Sequence, residues 1–107
     1  MGYVYLLLVA DADGERHKIG FTKNHPSKRV KQLQTGNGAV ISILKFYESK
    51  NYQKVERWMH GNYCNQRTEA GNEWFLLTNE QIGSFIGDCE KADATINFMI
   101  ENNPFYK

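Results

Sequence analysis

Three side chains that suit phosphate chemistry lie close together near the start of the chain. Tyr5 belongs to an apolar run at Tyr3–Ala10, and Lys18 belongs to a second run at His17–Phe21. Arg29 follows at a predicted helix start. A phenol exchanges protons more readily beside a cation, and amines and guanidinium groups offset the charge on phosphate oxygens. If the fold brings these groups together, they predict a phosphate-handling site.

The two apolar runs that carry Tyr5 and Lys18 have the pattern of a β-hairpin. An Asp-Ala-Asp-Gly turn at residues 11–14 separates them, and β-branched and aromatic residues populate both. We expect strands at Tyr3–Val9 and Arg16–Phe21. Both faces of the first strand are largely apolar, which indicates a central strand covered on both sides. Gly20 would allow a close approach by another backbone segment or by a phosphate.

Apolar periodicity and turn residues predict the other elements. A helix opens near Pro26, with either Asn24 or Ser27 as its cap, and the glycines of 35–38 end it. The elements after it are a strand at Val40–Tyr47, a helix at Asn51–Tyr63, an extended segment at Glu73–Leu77, a helix from a Thr78/Gln81 capping box to about Gly87, and a last helix at about Glu90–Asn102.

These elements predict an α/β (α+β) fold in one domain over residues 1–107. We expect a small three-stranded antiparallel or mixed sheet flanked by helices. Its core would cover about residues 2–78, and two further C-terminal helices would form an extension at about 79–103. Six tyrosines, six phenylalanines and two tryptophans favour a globular chain over a disordered one.

The cationic side chains are concentrated in one part of the chain, although the net charge is only +1. Residues 16–31 carry six of them and no acid, which allows a local basic face that binds a phosphate backbone. The candidate nucleic-acid contacts are Lys23, Lys28, Arg29, Lys31 and Arg67. Two roles stay open for Arg67: a contact with the nucleic-acid backbone, or bracing of the segment before Glu73.

Membrane and secretion signals are missing from the sequence. The apolar run Leu6–Ala10 is too short for a membrane span and lacks the flanks of a signal peptide. We therefore expect no membrane partner. We expect a cytoplasmic protein, either of a bacterium or of a phage-infected host cell. Cys64 and Cys89 fit reduced thiols in that compartment.

The order of several short motifs resembles the GIY-YIG nuclease superfamily, and most of all its small phage-associated branch whose second motif is KIG. The resemblance covers residues 2–78. It rests on Tyr3-Val4-Tyr5, Lys18-Ile19-Gly20, Arg29, the helix pair Glu56 and His60, and a closing Glu73-Trp74-Phe75. It implies a metal-dependent endonuclease that hydrolyses phosphodiester bonds, most often in DNA.

The resemblance also implies roles for individual residues. Tyr5 would be the general base, and Lys18, which replaces a second tyrosine of many relatives, would lower the pKa of Tyr5. Arg29 would bind the scissile phosphate, and Glu56 would be the protein ligand of Mg²⁺ or Mn²⁺. One carboxylate is sufficient for Mg²⁺, which keeps most of its waters.

Three further residues are auxiliary candidates. His60 either orients water or phosphate beside Glu56 or only completes a helix face. His25 is a candidate phosphate contact at the helix start, and Tyr3 belongs to the first motif. His17 is expected to be an exposed strand residue.

Each of the four main residues has an ordinary structural role as its alternative, because tyrosines, lysines, arginines and glutamates are common on strands and helix faces. Their joint occurrence favours the active-site interpretation. Two other function classes stay open: a non-catalytic nucleic-acid-binding module, and a protein-interaction module of a phage or mobile element. The residues leave RNA open as a substrate and leave the oligomeric state open between monomer and homodimer.

Overall fold

A four-stranded antiparallel sheet forms the centre of the structure, a computed structural model that describes residues 1–34, 38–68, 71 and 73–103. The strands are β1 at Gly2–Asp11, β2 at Gly14–Thr22, β3 at Val40–Ser49 and β4 at Trp74–Phe75. Their order is β3-β1-β2-β4. The central position of β1 confirms the inference from its two apolar faces.

The predicted fold class, a small sheet flanked by helices in an α+β domain, is confirmed. The prediction of three strands is wrong for the part of the chain that the structure describes. Trp74 and Phe75 pair with Lys18 and His17 and extend the sheet beyond β2. A two-residue strand is too short to show alternation, so the sequence indicated only an extended segment here.

The hairpin of β1 and β2 has a turn at residues 12–13. Gly14 has a φ of 120°, a conformation that glycine adopts without steric cost. The Asp11 carboxylate accepts a hydrogen bond from the Asp13 amide at 2.9 Å and forms an ion pair with Arg16 at 3.0 Å. This turn sets the register that pairs Tyr5 with Gly20.

Three α-helices and a short 3₁₀-helix accompany the sheet in the part of the chain that the structure describes. They are α1 at Pro26–Gln34, α2 at Tyr52–Asn62, the 3₁₀-helix at Cys64–Gln66, and α3 at Asn79–Asn102. The side chain of His25, not that of Asn24 or Ser27, caps the start of α1, because its Nδ1 accepts a hydrogen bond from the Ser27 amide at 3.2 Å. The predicted end of this helix at 35–37 lies outside the described residues.

The prediction of two C-terminal helices is wrong, because α3 is one helix of 24 residues. It opens with the predicted capping box, in which Thr78 and Gln81 exchange hydrogen bonds. A glycine inside a helix costs only about 1 kcal/mol relative to alanine. The buried stripe of α3 continues past Gly87 and outweighs that cost; its members are Phe85, Cys89, Ala92 and Ile96.

The main core lies on one face of the sheet, beneath α2 and α3. Val4, Leu6 and Ile19 project from the strands, and Val55 and Met59 of α2 pack against them. Cys64 and Cys89 are both free, in agreement with the expected reduced thiols. No helix in the described ranges has both the length and the apolar character needed to cross a membrane.

His17 is buried, so the prediction of an exposed residue is wrong. Its Nδ1 accepts a hydrogen bond from the Leu77 amide at 3.0 Å, which ties β2 to the segment before α3. Burial lowers the pKa of His17, because the surroundings disfavour the charged ring. The neutral form is the one whose Nδ1 can accept this bond.

Asp93 connects the end of β3 to α3. Its carboxylate accepts hydrogen bonds from Tyr47 at 2.7 Å, Ser49 at 2.9 Å and Asn51 at 2.8 Å. Burial alone would raise the pKa of Asp93, but these three bonds outweigh burial and lower it. The ionised carboxylate therefore holds α3 against the sheet.

We expect Asp93→Ala to lower the free energy of unfolding by about 1–3 kcal/mol, because it leaves partly buried donors without an acceptor. The measurement is chemical denaturation at neutral pH. Glu90→Ala is the matched control, since it removes an exposed acid from the same helix. Equal effects of the two substitutions would contradict this role for Asp93.

Candidate active site

The site is centred on the contact between Tyr5 of β1 and Gly20 of β2. Tyr5 is only 1% exposed and lies on the face of β1 opposite to Val4 and Leu6. Its ring crosses Gly20: a Cβ on that glycine would lie 2.6 Å from Cζ and 2.9 Å from Cε1 of the ring. The group that approaches Gly20 closely is thus the Tyr5 side chain, not the backbone segment or phosphate that the sequence suggested, and only glycine leaves room for it.

Arg29 is the cation beside the Tyr5 hydroxyl. Burial raises the pKa of Tyr5, while hydrogen bonding and charge from Arg29 lower it, and the charges of Glu73 and Glu56 raise it. The net result is a raised pKa. Lys18, which was expected to lower the pKa of Tyr5, is not among the groups that shift it, and the cation that acts on the phenol is Arg29.

Glu56 and His60 lie one turn apart on α2, at the edge of β2. Glu56 is 9% exposed, and its Oε2 is 3.5 Å from Nε2 of His60. The same nitrogen is 2.8 Å from the carbonyl oxygen of Ile19, the residue before Gly20. His60 thus holds α2 against β2 and positions the glutamate beside the centre of the site.

The surroundings of the Glu56 carboxyl group disfavour its ionised form. Burial raises its pKa, His60 opposes this, and the charge of Glu73 raises the pKa further. Burial and a second carboxylate both disfavour the ionised form of a carboxyl group. A cation close to the two groups favours that form. The ionised form of Glu56 is therefore the form that a bound cation would stabilise.

Glu73 is a site residue that the sequence reasoning did not assign. Its Oε2 is 3.7 Å from Nζ of Lys18, and its backbone oxygen accepts a hydrogen bond from the Ile19 amide at 3.1 Å. Lys18 also lies over Trp74, with Nζ 5.4 Å from the ring centre. The signal for Glu73 was its place in the closing Glu73-Trp74-Phe75 motif.

Glu56 and Glu73 are the carboxylates of this site that could hold a divalent cation. The described residues contain no group of three or more His, Cys, Asp or Glu side chains arranged to hold a metal ion. Glu56 is the buried carboxylate at the centre, and Glu73 is close enough to act on its pKa. Mg²⁺ is commonly bound by one or two carboxylates, with water and substrate oxygens completing its shell.

The remaining candidates make contacts of their own outside the Tyr5–Gly20 contact. The rings of His25 and Tyr3 contact each other, with 5.5 Å between their centres. Arg67 braces its own segment: its Nη2 is 3.5 Å from the His60 carbonyl and its guanidinium lies over Phe75. The three lysines of the predicted basic face are exposed in the turn before α1 or on α1 itself: Lys23, Lys28 and Lys31.

The fold and the site define a class: a small antiparallel α+β domain that gathers a phenol, two cations and two carboxylates around one strand. The chain belongs to the T5orf172 domain family, which it matches over residues 2–90. This is a phage-associated domain of nuclease type. Neither a curated protein nor a solved structure matches the chain.

We expect Gly20→Ala to displace the Tyr5 ring and to lower the free energy of unfolding by about 1–3 kcal/mol, as overpacking does. A double-mutant cycle with Tyr5→Ala, measured by denaturation, tests the cause. Without the ring, the added methyl group should cost far less. Gly38→Ala is the control, because nothing lies within 4 Å of its Cβ position. An equal cost of Gly20→Ala in both backgrounds would contradict the proposed contact.

Proposed function

We propose that this protein is a GIY-YIG-type endonuclease that hydrolyses phosphodiester bonds, in DNA, with the help of Mg²⁺ or Mn²⁺. The observation that most supports this is the neighbourhood of the Tyr5 hydroxyl. Arg29, Glu56 and Glu73 are all close enough to shift its pKa. A base, a phosphate-binding cation and a carboxylate ligand are the groups that phosphodiester hydrolysis needs.

Arg29 binds the scissile phosphate in this proposal. It is half-buried on the first turn of α1, beside the Tyr5 hydroxyl. A guanidinium fork matches two phosphate oxygens at once, which orients the phosphate as well as attracting it. A phosphate held there lies next to the phenol, so the attacking water can contact both groups.

Tyr5 acts as the general base that takes a proton from the attacking water. Its raised pKa means that the neutral phenol dominates at pH 7 in the free protein. Arg29 favours the phenolate, and a divalent cation held by Glu56 would supply positive charge for the leaving oxygen. The phenolate, once formed, is a strong base because its pKa is high.

Lys18 contributes charge rather than a proton in this arrangement. Its ammonium group lies close to Glu73 and over the Trp74 ring, two residues before Gly20 on the same strand. When a phosphate binds, Lys18 can exchange its contact with Glu73 for one with a phosphate oxygen. Such a contact offsets the charge that builds up during the reaction.

The exposed lysines beside Arg29 extend the site into a surface for the nucleic-acid backbone. Lys23 lies in the turn before α1, and Lys28 and Lys31 lie on α1 itself. Cations in this position neutralise phosphates that flank the scissile one and make the affinity dependent on salt. We expect the protein to act in the cytoplasm, as a monomer or a homodimer.

A non-catalytic nucleic-acid-binding module is the second candidate function. One observation favours it: the pKa of Tyr5 is raised rather than lowered, which leaves little base at neutral pH. This module would bind through Arg29 and the same lysines without metal. It would cleave no strand under any condition.

The first prediction of the nuclease proposal concerns Glu56→Gln. Cleavage of single-stranded, duplex and branched DNA and of RNA is measured in Mg²⁺ or Mn²⁺, and in EDTA. We expect metal-dependent cleavage that falls at least about 100-fold in the variant, because the cation loses its carboxylate. Glu101→Gln, which changes an exposed acid near the end of α3, should leave the rate unchanged.

Stability distinguishes a lost ligand from a lost fold in this variant. Because the folded pKa of Glu56 is raised, the stability it contributes is full below the unfolded pKa of about 4.3 and is lost as the pH rises through the folded value. A neutral glutamine should therefore keep or raise the melting temperature at pH 7. Cleavage that survives in Glu56→Gln would contradict the metal ligand assignment, and no cleavage of any substrate would favour the binding module.

The second prediction is an alkaline pH profile. Because the pKa of Tyr5 is raised, only a small fraction of the Tyr5 side chains is phenolate at pH 7, and this fraction grows about tenfold with each pH unit. We therefore expect kcat/KM to rise about tenfold per pH unit between about pH 6 and 9. The measurement is the initial cleavage rate at low substrate concentration, in buffers of constant ionic strength. Tyr5→Phe, which removes only the hydroxyl, should abolish this activity, and a Tyr5→Phe protein with the same profile and rate would exclude Tyr5 as the base.

A further inference from the structure

Three aromatic rings meet on the surface beside the proposed active site. His25 and Phe46 have ring centres 4.9 Å apart, Tyr3 and His25 5.5 Å, and Tyr3 and Phe46 6.1 Å. They come from three different elements: β1, the residue before α1, and β3. We name this group, Tyr3, His25 and Phe46, the aromatic ledge.

The aromatic ledge adjoins the phosphate-binding end of the site. Phe46 is the cross-strand partner of Tyr5, so the two side chains lie on the same face of the sheet. His25 immediately precedes α1, the helix that carries Arg29. A nucleotide whose phosphate contacts Arg29 therefore has the ledge within reach of its base.

The exposure and the charges around the ledge suit a nucleic acid. Phe46 is 44% exposed, His25 is exposed as well, and Tyr3 is half-buried. Lys23 and Lys28 are exposed on either side of His25 in the sequence. Exposed aromatic rings among cations are the arrangement that binds unpaired bases by stacking.

Glu48 is an acid at the aromatic ledge, and it contacts the hydroxyl group of Tyr3. Glu48 hydrogen-bonds to the Tyr3 hydroxyl, and this bond is the largest cause of the raised pKa of Tyr3. It holds the Tyr3 ring at one end, while His25 and Phe46 pack against that ring. The ledge is thus organised before any ligand binds, which reduces the entropy lost on binding.

We infer that the aromatic ledge stacks an unpaired base next to the scissile phosphate, so that the preferred substrate is nucleic acid with an unstacked base: a single strand, or a duplex with a branch or overhang. Bases inside a duplex have both faces covered by neighbours, and exposing one costs a few kcal/mol. This inference rests on the proposed function and adds its substrate class.

The test is a binding measurement in EDTA, where cleavage does not interfere. The probe is a single-stranded DNA with 2-aminopurine, whose fluorescence changes when the base stacks on a ring, and affinity is read by anisotropy. We expect Phe46→Ala to weaken binding of the single strand about 10-fold, from the loss of one stacked base. Binding of a blunt duplex of the same length should be unchanged.

Phe21→Ala is the matched control. Phe21 is 42% exposed on β2 but pairs with Val4 and contacts Tyr52, so it lies on the opposite face of the sheet. It should leave binding of both DNA forms unchanged. Phe46→Leu keeps an apolar side chain and should weaken binding like alanine, whereas Phe46→Trp should bind the single strand at least as tightly as wild type.

Several results would overturn the inference. They are a single-strand affinity that Phe46→Ala leaves unchanged, an equal loss for single strand and duplex, an equal loss in Phe21→Ala, or full binding by Phe46→Leu. If wild type cleaves DNA but Phe46 has no effect, the ledge fails and the nuclease stands. If Phe46 controls binding but nothing is cleaved, the ledge stands and the catalytic proposal fails.

Discussion

The passage of the Tyr5 ring across Gly20 is the constraint on which the site depends. Any residue other than glycine at position 20 would carry a Cβ atom, and that atom would overlap the Tyr5 ring. The glycine therefore permits a buried phenol to reach from the central strand toward the far edge of β2. Arg29, Glu56 and Glu73 are close enough to act on the hydroxyl at the end of that ring.

Ile19 shows how the two carboxylates are brought to this hydroxyl. Its amide donates to the backbone oxygen of Glu73, and its carbonyl is within hydrogen-bonding distance of His60. Buried backbone groups at a sheet edge need hydrogen-bond partners. Here one partner is Glu73 itself, and the other is His60, which lies one helical turn from Glu56. The hydrogen bonds that complete the edge of β2 thus also position Glu56 and Glu73.

The site holds charge in unfavourable surroundings, and other contacts offset this cost. Burial raises the pKa of both Tyr5 and Glu56, so their ionised forms are disfavoured in the folded protein. Asp93 is the opposite case, since its hydrogen bonds favour the ionised form and stabilise the packing of α3. Burial also raises the pKa of Tyr63 and Cys89 elsewhere in the fold, so the distinctive feature of this cluster is that several charged groups act on one buried hydroxyl.

The sequence by itself determined the hairpin, the central position of β1 and the capping box of α3, because local periodicity and turn chemistry encode them. It also singled out Tyr5, Arg29 and Glu56. Only the tertiary structure decided that Arg29 rather than Lys18 acts on the phenol, that Glu73 joins the site, and that α3 continues through Gly87. Each of these depends on distances between residues far apart in the chain or on burial summed over a whole helix, and local patterns contain neither quantity.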